Sequence, residues 1–209
     1  MGIRDRLRRR LIAQAHNPTG PAGHVIGWMF GRRSSNVRRN LWAVELLEVE
    51  PSDRVIELGC GPGVALAALA GRATQGLVVG VDHSAVVIRQ ARRRNAQAVA
   101  QGRVRLIHAP VEHLRVDDGP FDAALAVNTV GMWPEPTVRL REIARLLRRG
   151  GRIALVSQPR CRGATAATSA AAADKLAALL SDAGFEGPRI ETLALDPPAV
   201  CVLAMRPGD

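Results

Sequence analysis

A chain of 209 residues with 47% hydrophobic and 23% charged residues is long enough for one α/β domain with a single sizeable core and short for two. No apolar run approaches the roughly 18 residues that cross a bilayer. The three cysteines, Cys60, Cys161 and Cys201, show no CxxC pair and no zinc spacing, which points to a reducing cytoplasm without a structural metal.

The N-terminal stretch carries Ile3, Leu7, Leu11 and Ile12 between arginines, a spacing that predicts an amphipathic basic helix over 3–15. It also lacks the apolar core and small-residue cleavage site of a secretory signal. Residues 1–40 hold nine arginines against one acid, Asp5, and so carry +8 of the net +10; Lys175 is the only lysine of the chain. A basic arm on a balanced domain suggests an anionic partner such as nucleic acid or a phospholipid surface. A solvated arginine-rich helix explains the same pattern, and 3% aromatic residues with no tyrosine leave little with which to stack bases.

Two prolines and two glycines in "HNPTGPAGH", 16–24, predict a linker. A second helix is expected over 35–47, with Val37, Leu41, Val44 and Leu47 on its apolar side and Pro51 beyond its end. Residues 1–50 thus read as a helical extension or lid, and 51–209 as the main domain. From Arg54 onward, apolar strand candidates at 54–58, 77–81, 103–107, 121–127 and 151–157 alternate with helical stretches at 64–72, 84–98, 136–148 and 168–184. Crossovers of that length require a parallel sheet covered on both faces. The last two candidates, 189–195 and 199–205, are separated only by "DPP". So short a connection predicts an antiparallel hairpin and a seven-stranded α/β sheet with one reversed strand near an edge.

The turn "ELGCGPG" places Gly59, Gly61 and Gly63 where the first strand becomes a helix. Glycine there accepts positive φ and lets a ligand lie against the main chain, beside the unpaired N–H groups of the helix start. A tight strand-to-helix connection needs the same residues, so a second signal matters. The next strand ends in Asp82, 19 residues past Gly63, where a carboxylate can accept both hydroxyls of a ribose. Neither G-x-G-x-x-G nor a phosphate-loop lysine is present. Pro62 also removes one N–H donor. Glu57 would repel a pyrophosphate but suits an ammonium group. An amine at one end and a ribose at the other describe S-adenosylmethionine.

"VIELGCGPG" and "GVDHS" resemble the first and second motifs of class I S-adenosylmethionine-dependent methyltransferases. "FDAALAVNTV" with "LREIARLLRRGGRIALVS" is similar to that family's fourth strand, following helix and Gly-Gly turn. The resemblance covers about 45–205, and its flavour is that of the quinone-biosynthesis-like small-molecule enzymes. It implies a Rossmann-like, doubly wound, mostly parallel sheet whose last strand is antiparallel, with S-adenosyl-L-methionine as cofactor. It further implies that Gly59, Cys60, Gly61 and Gly63 wrap the methionine and ribose. Glu57 would then lie near the amino group, Asp82 on the ribose and His83 over the adenine. Pro110 stands where the family often has an acid, so adenine recognition passes to the Val111 N–H or to Glu112. Asn128 is expected at the carboxyl edge of the sheet.

The acceptor implied is a small molecule. A catalytic base is optional, because the donor is already activated. His24 and Trp133 are the catalytic candidates, with His16 behind them. Trp28, Met29, Phe30 and Met132 are candidates to line an acceptor pocket; the same apolar residues would also serve as packing. An RNA or protein methyltransferase docking through the basic arm, and a non-catalytic cofactor-binding protein, are the alternatives. The sequence lacks the N/D-P-P-Y/F/W signature of nucleic-acid amino-methylating enzymes and the Pro-Cys of cytosine-C5 enzymes.

Overall fold

The computed structural model describes residues 33–208. Helix α1 (Ser34–Leu46) precedes strand β1 (Arg54–Leu58), helix α2 (Val64–Arg72), strand β2 (Leu77–Asp82), and helices α3 (Ala85–Arg94) and α4 (Ala96–Ala100). Strand β3 (Val104–His108), strand β4 (Phe121–Val127), helix α5 (Pro136–Leu146), strand β5 (Leu147–Ser157), helix α6 (Ala166–Asp182), strand β6 (Glu186–Leu193) and strand β7 (Ala199–Met205) follow. The sheet order is β3-β2-β1-β4-β5-β7-β6. Only β7 runs against its neighbours, pairing antiparallel with both β5 and β6. The seven-stranded, mostly parallel sheet and the terminal hairpin are as the chain order implies.

Strand periodicity explains the two cores. Val55, Val78, Ala123, Leu125, Ala154 and Val156 pack on the face covered by α1 to α4. Their alternating neighbours Ile56, Leu58, Val79, Ala124, Ile153 and Leu155 pack on the face covered by α5 and α6. Both sides of each central strand are therefore apolar, which is why the strands read as continuous hydrophobic runs. Glu57 breaks that run between Ile56 and Leu58, and it is only 1% exposed.

Four local expectations shift. The helix expected over 84–98 is two helices, because the Asn95 side chain donates to Gly63 O at 3.1 Å and to Ala91 O at 2.9 Å. An asparagine that bonds backbone carbonyls in this way competes with helix continuation. The helix expected to reach 148 stops at Leu146, and β5 starts four residues early at Leu147, which pairs with Phe121 ahead of a register shift. Strand β6 likewise begins at Glu186, opposite Met205, and ends at Leu193. In α1 the apolar phase differs from the expected stripe. Leu41 is 44% exposed, while Arg39, Asn40, Ala43, Val44 and Leu47 face inward. The burial of Ala43, Val44 and Leu47 outweighs one exposed leucine at about 25 cal/mol per Å² of apolar surface.

Candidate active site

Strand β1 feeds β2 on one side while the chain later returns as β4 on the other, so the order reverses above the carboxyl ends of β1 and β4. Sheets of this kind open a crevice at such a switch point. A cavity of about 1270 Å³ lies there. Its walls include Glu57, Gly59, Cys60, Gly61, Asp82 and His83 from the first two strand ends. Val111, Glu112, Asn128, Met132 and Trp133 from the later connections also line it.

The three glycines have different jobs. Gly61 has φ +50 and no atom within 4 Å of where a Cβ would stand, so its open side faces the cavity. A Cβ on Gly59 would stand 2.2 Å from Thr129 Cγ2, and one on Gly63 would stand 2.6 Å from Asn95 Nδ2 and 3.0 Å from Ala91 Cα. Gly63 is absent from the cavity wall; it is glycine because α3 packs against it.

Asp82 fastens this turn. Its Oδ2 accepts the Gly61 N–H at 2.9 Å and its Oδ1 accepts the Ser84 N–H at 2.9 Å. The residue is 8% exposed. Each carboxylate oxygen keeps a further lone pair. His83 Nδ1 stands 3.7 Å from Asp82 Oδ1, beyond hydrogen-bond range, and its ring is partly open to solvent on the cavity wall. Glu57 is buried with Oε2 unpartnered. Burial, and next the Asp82 charge, push its carboxyl well above the usual range, against a backbone hydrogen bond from Leu66. Burial, and next Glu57 and Asp82, also push the Cys60 thiol up, which keeps it protonated and unreactive.

Asn128 has φ +58, and its Oδ1 accepts the Gln158 N–H at 2.7 Å. That bond ties the end of β4 to the end of β5. Val111 opens a 3₁₀ turn and Glu112 is exposed. Trp133 is half-buried, lining the cavity while packing against the α5/α6 core. His16, His24, Trp28, Met29 and Phe30 lie outside the described residues. Thr129, Gln158, Arg39 and Arg160 also stand on the wall, beyond the residues expected from the sequence; the one signal for Thr129 and Gln158 in the sequence is position just past a strand end.

Residues 55–151 match the family described as the methyltransferase domain. The uncharacterized methyltransferase YdaC of Bacillus subtilis is 28% identical over 176 residues, which is 84% of this chain and 95% of that one. The fold is that of a SAM-dependent methyltransferase from Aquifex aeolicus, with TM-score 0.67 at 17% identity over 82% of this chain and 93% of that chain. The domain match, these similarities and the shared fold support a class I S-adenosylmethionine-dependent methyltransferase. The demethylmenaquinone methyltransferase of Corynebacterium kroppenstedtii is another similar methyltransferase, 34% identical over 107 residues, 51% of this chain and 42% of that one. The chain spans 40–59% of the length of seven curated relatives beyond YdaC.

The site of this methyltransferase fits its cofactor on two structural grounds. An ammonium beside Glu57 would give the orphaned Oε2 a partner, and the bare face of Gly61 leaves room for a ligand against the backbone. The Glu57 shift also has a measurable consequence without cofactor. A raised carboxyl binds more protons folded than unfolded, so stability is full below the ordinary glutamate pKa and falls as pH climbs toward the raised value. The slope reaches up to about 1.4 kcal/mol per pH unit. Melting temperature against pH should therefore decline above about pH 4.5 in the cofactor-free protein, and Glu57→Gln should flatten the decline. Parallel curves for the two proteins would contradict the assignment.

Proposed function

We propose that this methyltransferase methylates a small-molecule acceptor held in the part of the cavity beyond Asn128. Bound S-adenosylmethionine supplies a methyl group already activated for in-line displacement by a nucleophile. Asp82 accepts the ribose hydroxyls with its spare lone pairs, Glu57 takes the amino group, and Gly61 lets the chain of the ligand pass over the turn. His83, Val111 and Glu112 stand at the adenine end. Met132, Trp133, Leu176 and Leu179 give the acceptor compartment its apolar wall and keep water from the transfer.

The volume carries this reading. About 1270 Å³ exceeds the 300–1,000 Å³ typical of a site for one small ligand, which supports space for a cofactor and a compact acceptor together. The similarity to a demethylmenaquinone methyltransferase supports an acceptor of the phenol or quinol kind. Among the described wall residues His83 is the one histidine, and it lies at the adenine end. Acceptors that lose their proton readily are accordingly favoured over those that need a base.

The test is transfer of a labelled methyl group to a panel of phenols, quinols and amines, with total RNA and unfolded protein as further acceptors. Label should appear in the organic extract, with phenols and quinols at least tenfold ahead of aliphatic amines. Label confined to RNA or protein would contradict the proposal.

A further inference from the structure

The cavity changes sign along its length. Its acids, Glu57, Asp82 and Glu112, stand over β1, β2 and the connection after β3. Its Arg and Lys residues, Arg39, Arg160, Arg162 and Lys175, stand over the β5 side: two follow β5, one is on α6 and Arg39 comes from α1. No carboxylate among the described residues lines that end.

Arg39 is the unusual member. It is 3% exposed, yet among the described residues its guanidinium bonds only neutral amides, Gln158 Oε1 and Asn36 Oδ1, and its Nε has no partner. The more open Arg160 reaches the same Gln158 Oε1 at 3.4 Å. Two cations therefore converge on one uncharged oxygen. Buried guanidinium groups are ordinarily neutralised by a carboxylate. Burial first, and then the Arg160 and Arg33 charges, lower Arg39 to about 10.

We propose that Arg39 and Arg160, backed by Arg162 and Lys175, form an anion-binding site for a carboxylate or phosphate on the methyl acceptor. A planar guanidinium pair suits an oxyanion in the way two forks suit one carboxylate or phosphate. The methionine carboxylate of the cofactor offers the same chemistry. The acceptor is the assigned source because one carboxylate leaves most of the four cations unmatched, and because Arg160, Arg162 and Lys175 lie on the β5 side, away from Asp82. Naming the anion as the acceptor's rests on the methyl-transfer reading above; the anion site does not.

Inorganic phosphate is the probe, titrated into the full chain by calorimetry at constant ionic strength, with and without saturating S-adenosylhomocysteine. One saturable site with millimolar Kd is expected, unchanged within twofold by S-adenosylhomocysteine. Arg39→Gln should weaken phosphate at least tenfold and Arg160→Gln, on the exposed residue, three- to tenfold, while the surface control Arg145→Gln leaves it unchanged. In the labelled-methyl assay, acids should exceed their neutral methyl esters at least tenfold in kcat/KM, and Arg160→Gln should shrink that ratio. Absence of a saturable site, insensitivity to both substitutions, or no acid preference would overturn the proposal. So would displacement of phosphate by S-adenosylhomocysteine, since the cations would then serve the cofactor. Arginine-dependent phosphate binding in a protein that ignores S-adenosylhomocysteine would keep the anion site and remove the methyl-transfer reading instead.

Discussion

Asp82→Ala is expected to weaken S-adenosylhomocysteine binding by at least about a hundredfold. The carboxylate is held by the Gly61 and Ser84 amides, each at 2.9 Å, so its free lone pairs are already oriented when a ribose arrives. Hydrogen bonds to a charged group contribute about 1.5–3 kcal/mol each, and two ribose hydroxyls lost together amount to about 3–6 kcal/mol. The substitution also unties Gly61, so the true loss lies toward the larger figure. Asp82→Asn keeps one oxygen and should fall between. Calorimetric titration measures the affinities, and thermal melts of the same samples separate lost binding from lost folding. An Asp82→Ala protein that binds within fivefold of the original would remove Asp82 from the ribose.

Gly59→Ala should cost about 3 kcal/mol or more of stability, far beyond the effect of the same change at Gly61. Gly59 has φ +74, where a side chain strains the backbone by roughly 1–2 kcal/mol. The added Cβ would also stand 2.2 Å from Thr129 Cγ2, and overpacking of this kind costs about 1–3 kcal/mol. Thr129 cannot step aside cheaply, because its Oγ1 donates to Leu58 O at 3.1 Å and the residue is buried. At Gly61, φ +50 carries the strain alone, with open space beyond. Gly61→Ala should therefore fold with a small drop in melting temperature and lose cofactor affinity. Pairing Gly59→Ala with Thr129→Ser removes Cγ2 and should restore part of the loss. Equal melting temperatures for the two alanine variants would contradict the division of labour among the glycines.

That division marks how far the sequence could be read. The alternation of apolar runs with helical spacing gave the parallel sheet, and "DPP" between the last two runs gave the reversed strand, because both follow from the length of chain between strands. The turn after β1 and the acid after β2 were legible because backbone chemistry at a strand end is local. What each glycine packs against was not, since Thr129 and Asn95 reach Gly59 and Gly63 from distant parts of the chain. The phase of α1 failed for a related reason. Arg39 looks like a solvated cation until α1 is seated beside the end of β5, where Gln158 accepts its hydrogen bond. The break at Asn95 came from a side chain finding Gly63 O, a contact 32 residues back along the chain.

Titration of S-adenosylhomocysteine into the purified chain by calorimetry tests the central claim most directly. One site per chain is expected, with release of a proton from Glu57 when the titration is run above the ordinary glutamate range and below its raised pKa. Running it in two buffers of different ionisation heat reads that proton. No heat with S-adenosylhomocysteine or S-adenosylmethionine, in a protein that does take up NADH, would contradict the account.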